Sequence, residues 1–314
     1  MIGLTLIIIG LSYFAYLGIK SKNRVLSSSG VYYSTKKSLI DPDIGFVFKP
    51  NIEVEVARID NKKLTLTFNF ATDEFGRRQT KAENSGDEFL VYYGCSFAFG
   101  FGLNDDMILS SQLADQIKSH QVYNYNSNAY GVTQLLSYLR VNRWEKEIPQ
   151  DKGILVYSFI RDHFNRIFPS PSNFNESPFY DFRGDKLEFK GLLNDVFPEE
   201  VKRIEENFRD GPFNAEKITD KEAKYFCAIL KESERLFNES YSSSRFVLLY
   251  NDWRDEDAIK KLKECIKGTK IEFLDFSPIV EANKEKVLIP IDGHPNELWN
   301  RELAKFLKEK LNLN

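Results

Sequence analysis

The serine at position 96 lies where an apolar run gives way to a short glycine-rich segment. The run Phe89–Tyr93 is followed by Gly94 and Cys95, and an amphipathic stretch comes after Ser96. A turn from a strand into a helix lifts a hydroxyl clear of the sheet edge and aims backbone N–H groups at the atom that the hydroxyl attacks. We therefore predict that Ser96 is a nucleophile; the alternative is a turn serine that caps the next helix.

A serine hydroxyl needs a base to take its proton at neutral pH, and histidine is the usual base. The chain has three histidines: His120 at the end of a predicted helix, His163 after a predicted strand, and His294 in a loop that opens the last predicted helix. Asp292 lies two residues before His294, and a carboxylate can fix the imidazole tautomer and stabilise the imidazolium. We predict His294 as the base and Asp292 as its orienting acid.

Three blocks of the chain resemble the SGNH (GDSL-type) hydrolase superfamily. They are Gly94–Phe97 after the first core strand, Asn124–Gly131 after the second, and Asp292–Asn296 near the end. The resemblance covers roughly residues 86–314, and the order and spacing of the blocks carry it more than any single block.

The resemblance implies acyl transfer through a covalent ester on Ser96, with His294 as base and Asp292 orienting it. The backbone N–H groups of Ser96 and Ala129 would hold the oxyanion, although the family usually has glycine where this chain has Ala129. In the third block Arg161 stands where the family has asparagine, so Arg161 or His163 would have to supply that donor. Loss of one oxyanion donor costs roughly 3 kcal/mol of transition-state stabilisation.

Several functions are compatible with these residues. Water as the acyl acceptor gives an esterase that acts on a small-molecule or carbohydrate ester, and a sugar hydroxyl gives a polysaccharide O-acetyltransferase. A catalytically silent, membrane-tethered carbohydrate-binding module is the alternative outside enzymes, and the atypical third block favours it. Cys95 is a second candidate nucleophile, although a small buried cysteine is common. The segment around Ser96 lacks the second glycine of the Gly-x-Ser-x-Gly elbow.

From residue 86 onward the chain alternates short apolar runs with amphipathic ones. This pattern predicts a three-layer α/β/α fold with a mostly parallel five-stranded sheet, because apolar strands separated by helices are buried on both faces. The resemblance implies that this fold is SGNH- or flavodoxin-like. The predicted strands are 88–93, 121–125, 153–160, 245–251 and 271–276, and the predicted helices are about 106–118, 131–145, 255–267 and 296–311.

Two further parts are predicted around this domain. Residues 21–85 read as a juxtamembrane segment followed by a small β unit, since three stretches alternate at period two. Residues 164–243 interrupt the strand–helix alternation and contain two charged helices, near 197–208 and 215–237. We expect this insertion to form a lid or one wall of the cleft. Five aromatic residues in it either line an acyl pocket or pack the lid onto the sheet: Phe168, Phe174, Phe179, Tyr180 and Phe182.

The first 20 residues predict a single transmembrane helix. Residues 2–19 contain no charge and would reach about 27 Å as a helix, close to the hydrocarbon thickness of a bilayer. Lys20, Lys22 and Arg24 follow the apolar run, and the positive-inside rule then places the globular part in the cytoplasm. Anchored members of the resembling superfamily mostly act outside the cytoplasm, so the two indications conflict.

Charge and cysteine content indicate which further kinds of binding site to expect. A net charge of -3 gives no basic field for nucleic acid. The three cysteines are far apart and lack Cys-x-x-Cys spacing, so they indicate neither a zinc site nor a disulfide framework, although one disulfide stays open. We expect no cofactor and no metal, and the sequence gives no indication of oligomeric state.

Overall fold

A computed structural model of the protein describes residues 30–61, 63–81, 85–171, 173, 176–207, 217–252, 255–290 and 292–314. The predicted transmembrane helix at 1–20 and the start of the juxtamembrane segment lie outside these residues. Within them, no helix combines the length and apolar composition needed to cross a bilayer.

The described N-terminal part contains five short antiparallel strands. Strands β1 (Gly30–Tyr33), β4 (Glu53–Asp60) and β5 (Lys63–Ala71) make an antiparallel sheet in the order β1-β4-β5, and β2 (Ser38–Asp41) pairs with β3 (Gly45–Phe48) as a hairpin. The inward-facing phenylalanines of β3 and β5 are buried in the same apolar core as the first strand of the main domain. The unit therefore packs onto the domain that follows it.

The main domain contains a five-stranded sheet in which every pair of neighbouring strands is parallel. Its order is β12-β11-β8-β6-β7, with the bounds Glu88–Gly94 (β6), His120–Asn124 (β7), Gly153–Phe159 (β8), Arg245–Tyr250 (β11) and Glu272–Asp275 (β12). This confirms the predicted α/β class and the five-stranded parallel sheet. His120, expected at a helix end, is instead the first residue of β7.

Ten helices are present in the described part of the chain. Their bounds are Ser96–Phe99 (α1), Leu109–Ala114 (α2), Val132–Arg140 (α3), Arg143–Glu147 (α4), Leu193–Val196 (α5), Pro198–Asn207 (α6), Asp220–Ser240 (α7), Glu256–Cys265 (α8), Ser277–Val287 (α9) and Glu297–Leu311 (α10), with a 3₁₀ turn at Arg161–Phe164.

Helices cover both faces of the sheet because both faces are apolar. Along β6, Phe89 and Val91 belong to a core with α3, α7, α8 and the β unit, and Leu90 and Tyr92 belong to a second core with α2, α9 and α10. Successive side chains of a strand point to opposite faces, so a strand buried on both sides is apolar throughout. This is the three-layer arrangement that the sequence predicts.

The insertion at 164–243 has two structurally different halves. The first contains a hairpin of β9 (Pro178–Arg183) and β10 (Lys186–Leu192). The second ends in α7, which buries Phe226, Ile229 and Leu230 against the sheet face and is the crossover helix between β8 and β11. Of the five aromatic residues, Phe174 lies outside the described residues and the other four pack against neighbouring rings or helices.

A disulfide joins Cys227 of α7 to Cys265 at the end of α8, with their Cα atoms 4.9 Å apart. Thirty-eight residues separate the two cysteines in sequence. Proximity in the fold, which spacing along the chain does not reveal, brings them together. Cys95 is a free and buried thiol.

Candidate active site

Ser96 begins the short helix α1, two residues after the end of β6. Gly94 lies beside Ser158 of β8, and a Cβ atom on Gly94 would come within 2.8 Å of the Ser158 carbonyl oxygen. Only glycine therefore allows this close strand contact. Gly100 ends α1 in the left-handed conformation (φ +80°), and its N–H donates to the Ser96 carbonyl. The Ser96 side chain is half-buried at the carboxyl edge of the sheet, whereas Cys95 is buried.

His294 reaches Ser96 from the other end of the chain. Its Nε2 lies 2.9 Å from the Ser96 hydroxyl oxygen across 198 residues of sequence. The imidazole sits between Phe97 and Phe101, with ring centroids 5.2 and 5.0 Å away. Asn296 caps α10 by accepting a hydrogen bond from Trp299 N–H, which fixes the loop two residues after the histidine.

Asp292 lies behind the imidazole. Its Oδ2 is 3.2 Å from His294 Nδ1, an ion-pair distance without the alignment of a hydrogen bond, and its Oδ1 accepts the His294 backbone N–H at 3.1 Å. Burial alone would raise the pKa of this carboxyl, but the His294 side chain and backbone and the Arg58 guanidinium outweigh it, so the net pKa lies below the usual value. Asp292 is therefore ionised at neutral pH.

The second block runs beside the turn that carries Ser96. Ser127 N–H donates to the Gly94 carbonyl at 3.2 Å, and Tyr125 N–H donates to Tyr92 at 2.9 Å. Ala129 follows in the left-handed conformation with φ +58° and is partly exposed. Among the described residues, none accepts a hydrogen bond from its N–H. A backbone donor is thus free at the loop that flanks the serine.

The structure gives Arg161 and His163 other partners. Arg161 donates from Nε to Asp255 at 2.6 Å and from its backbone to Asp252 at 2.9 Å. His163 is fully buried, its Nδ1 lies 2.8 Å from the Tyr157 hydroxyl, and burial together with Arg166 lowers its pKa well below the usual value. These contacts provide no support for an oxyanion role of either side chain.

Two arginines of the β unit touch the site, and sequence patterns did not indicate them. Arg58 of β4 lies 3.4 Å from Asp292. Arg78 is buried and donates to the carbonyls of Phe99, Gly100 and Leu103 and to the Asp105 carboxylate. Each contact joins segments far apart in the chain, so no local spacing could have predicted it.

The described residues contain no group of three or more His, Cys, Asp or Glu side chains arranged to hold a metal ion. Three buried polar atoms of the second block, Asn126 Oδ1, Ser127 Oγ and Asn128 Oδ1, lack a hydrogen-bond partner there.

No protein-family model matches the chain, and no curated protein matches it either. Solved structures with a similar fold include a member of the lipolytic G-D-S-L family from Veillonella parvula (13% identity, 72% of this chain and 98% of that chain, TM-score 0.43). Another is the acetyl xylan esterase Est2A from Butyrivibrio proteoclasticus (11% identity, 82% and 74%, TM-score 0.41). A third is a carbohydrate esterase family 2 enzyme from Corynascus thermopiles (12% identity, 82% and 77%, TM-score 0.44).

Proposed function

We propose that the protein is a serine esterase that hydrolyses an O-acyl ester, with Ser96 as nucleophile, His294 as base and Asp292 as orienting acid. The observation that carries this proposal is the 2.9 Å contact between the Ser96 hydroxyl and His294 Nε2, with a buried carboxylate 3.2 Å from the other ring nitrogen. A hydroxyl and a base within hydrogen-bond reach, with the base held by a third group, are what nucleophilic catalysis requires.

In the proposed reaction, Ser96 Oγ attacks the ester carbonyl carbon while its proton passes to His294 Nε2. The backbone N–H groups of Ser96 and Ala129 stabilise the oxyanion, and the imidazolium returns the proton to the leaving alcohol. Water, activated by the same nitrogen, then releases the acid from the acyl-serine. Asp292 stabilises the imidazolium in both steps.

The insertion supplies one wall of the proposed cleft. Arg166 Nη1 donates to the Tyr130 carbonyl at 2.8 Å, and Ser177 Oγ accepts from Gln134 Nε2 at 2.8 Å. Both contacts fix the insertion to the segment just after Ala129. This position supports the proposal that the loop before β9 borders the space where an acyl group or a sugar would bind.

We also propose that the globular part acts on the extracytoplasmic side, anchored by the apolar segment at 1–20. The Cys227–Cys265 disulfide supports this side because disulfides persist in oxidising compartments and are rare in the cytosol. A protease added to intact cells should then cleave the globular part. Cleavage only after cell lysis would contradict the proposed side.

Release of p-nitrophenol from p-nitrophenyl acetate by the full chain tests the esterase proposal. We expect Ser96→Ala to reduce kcat/KM at least about 10³-fold and Ser242→Ala, at an exposed turn serine, to leave it unchanged. Equal rates in the wild type and the Ser96→Ala variant would contradict the proposal.

A fluorophosphonate probe identifies the nucleophile independently of the substrate. Mass spectrometry should locate the adduct on Ser96, whereas an adduct on Cys95 would identify the thiol as the nucleophile. Including an oligosaccharide acceptor in the ester assay measures transfer alongside hydrolysis; acyl-sugar as the main product would show a transferase instead.

A further inference from the structure

The β unit places a positive charge against the acid of the proposed triad. Arg58 Nη1, on β4, lies 3.4 Å from Asp292 Oδ2. The Asp292 side chain is 1% exposed, and a buried carboxylate is costly unless a cation or hydrogen-bond donors compensate for it. Within the described residues, Arg58 and His294 are the two basic side chains with a nitrogen within 4.0 Å of this carboxylate.

Arg58 does not move freely at this position. Its Nε donates to Asp60 Oδ2 at 3.0 Å, and the same oxygen accepts from the Thr65 hydroxyl at 2.7 Å. The pairing of β4 with β5 shifts register between Arg58 and Ile59, and such a bulge re-aims side chains. The hairpin therefore holds the guanidinium toward the triad.

The same hairpin is attached to the segment that carries the nucleophile. The backbone N–H groups of Asn69 and Ala71 donate to Asn104 and Asp105 at 2.9 Å, just after α1. The β unit thus contacts both the loop of the serine and the loop of the acid. A change at Arg58 acts on one of these two connections and leaves the other in place.

We propose that Arg58 is a positioning residue of the active site, which keeps the Oδ2 atom of Asp292 directed at the His294 imidazole. This inference rests on the proposed function for its effect on turnover. Arg58 acts through Asp292 and touches no reacting atom. Its loss should therefore slow the chemical step and leave substrate binding almost unchanged.

Steady-state kinetics separate these effects. We expect Arg58→Gln to lower kcat about 10-fold or more with KM within about twofold, and Arg58→Lys, which keeps the charge, to restore part of the loss. Arg183→Gln is the matched control, because the Arg183 side chain is 79% exposed and far along the chain from the site. A raised KM with unchanged kcat would contradict the proposal and make Arg58 a substrate-binding residue.

A variant pair tests whether Arg58 works through Asp292. In an Asp292→Asn background, adding Arg58→Gln should change kcat less than about twofold, since coupled residues are non-additive. A further 10-fold loss in that background would show that Arg58 acts by another route and would overturn the proposal.

A readout without turnover separates this inference from the esterase proposal. The groups around the imidazole are Ser96, Asp292 and Arg58, with Asp60 beyond the arginine. Without the guanidinium, the Asp292 carboxylate is no longer held toward His294 Nδ1. The NMR resonance of the His294 Nδ1 proton, read at one fixed pH, should then shift in Arg58→Gln and stay in place in Arg183→Gln.

An unmoved resonance in a folded Arg58→Gln protein, judged by an unchanged circular dichroism spectrum, would overturn the inference. If the resonance moves while the wild type hydrolyses no ester, the proposed function fails and the positioning of Asp292 stands.

Discussion

Ala129 adopts a left-handed backbone conformation, which is unfavourable for residues other than glycine. Its φ of +58° lies in the left-handed region, which costs an L-residue roughly 1–2 kcal/mol and costs glycine nothing. The resembling superfamily usually has glycine at this place in its second block. This chain therefore has backbone strain at a residue whose N–H we propose as an oxyanion donor.

Replacing Ala129 by glycine should relieve this strain and keep the donor. We expect Ala129→Gly to raise the free energy of unfolding by about 0.5–1 kcal/mol, because the greater freedom of the unfolded glycine offsets part of the gain. Ester hydrolysis should stay within about twofold of the wild type. Urea unfolding and kcat/KM provide the two measurements, with Ala129→Val expected to be destabilised. A large activity loss in the glycine variant would mean that the methyl group, and not only the N–H, serves the site.

Lys37 is a cation with little compensation. Its ammonium lies 3.5 Å from the centroid of the Tyr33 ring, and no carboxylate of the described residues contributes to its pKa shift. Burial lowers its pKa from 10.5 to about 8. The charged form therefore destabilises the fold below pH 8, and this destabilisation diminishes as pH rises from 8 to 10.5.

Lys37→Met should stabilise the protein at pH 7 by about 2 kcal/mol, because the variant no longer buries a charge. The gain is smaller than the full desolvation cost because the variant also loses the cation–π contact. The difference between variant and wild type should shrink toward pH 10.5. Urea unfolding across this range measures it, with the exposed neighbour Lys36→Met as control. A pH-independent difference would rule out the charge as its cause.

Single residues also show how far sequence reasoning reaches. Ser96 could be proposed because it lies where an apolar run gives way to an amphipathic stretch, and His294 because the carboxylate of Asp292 lies two residues before it. Arg58 could not be proposed, because it lies far from Asp292 along the chain. Only the packing of the β unit on the domain brings the two side chains together. Contacts of this kind depend on tertiary structure, which local spacing does not encode.

At the scale of elements, the disulfide ties the crossover helix α7 to α8. Cross-linking two residues 38 positions apart restricts the unfolded chain and stabilises a fold by about 2–4 kcal/mol in the chain-entropy view. It lies on the face of the sheet that also packs against the β unit. Stability, and not the chemistry of the serine, is its expected role.

Reduction should test this role directly. We expect the double variant Cys227→Ala with Cys265→Ala to lose about 2–4 kcal/mol of unfolding free energy. Dithiothreitol should lower the wild type to a similar value and leave the double variant unchanged, since the free thiol of Cys95 is present in both. A reductant effect of equal size in both proteins would mean that the disulfide contributes nothing.

The burial pattern of an element explains whether its sequence pattern could predict it. The hairpin β9–β10 has partly exposed residues along much of its length, so it lacks the apolar runs that marked the core strands. Helix α7 was predicted, but its charged residues concealed that one side is buried against the sheet. The parallel sheet was predictable because its strands are apolar on both faces and short.

At the scale of the whole molecule, the β unit and the α/β domain share one core. The ring centroids of Phe48 and Phe70 lie 5.3 and 5.2 Å from that of Phe99 in α1. The ring centroid of Phe68 lies 5.0 Å from that of Phe101. The helix that carries the proposed nucleophile thus packs directly on the β unit. We infer that the two parts unfold together, because neither can lose its partner without exposing these rings.

Arg78 offers the sharpest test of this cooperativity. Arg78→Met would leave the Asp105 carboxylate, 6% exposed, without its cation and three carbonyls without a donor. We expect a loss of about 3–5 kcal/mol in unfolding free energy. Arg183→Met, at an exposed arginine, should change it by less than about 0.5 kcal/mol.

Hydrogen exchange measures whether Arg78→Met destabilises the β unit and the α/β domain equally. In the wild type, the amides of β4 in the β unit and of β6 in the sheet should open with the same free energy, and Arg78→Met should lower both by the same amount. Lower protection in β4 than in β6, or a loss confined to β4, would show that the β unit unfolds by itself. In that case Arg58 and Arg78 would hold the loops of the proposed triad only as long as the β unit stays docked, and the proposed ester hydrolysis would decline at denaturant concentrations where the parallel sheet is still intact.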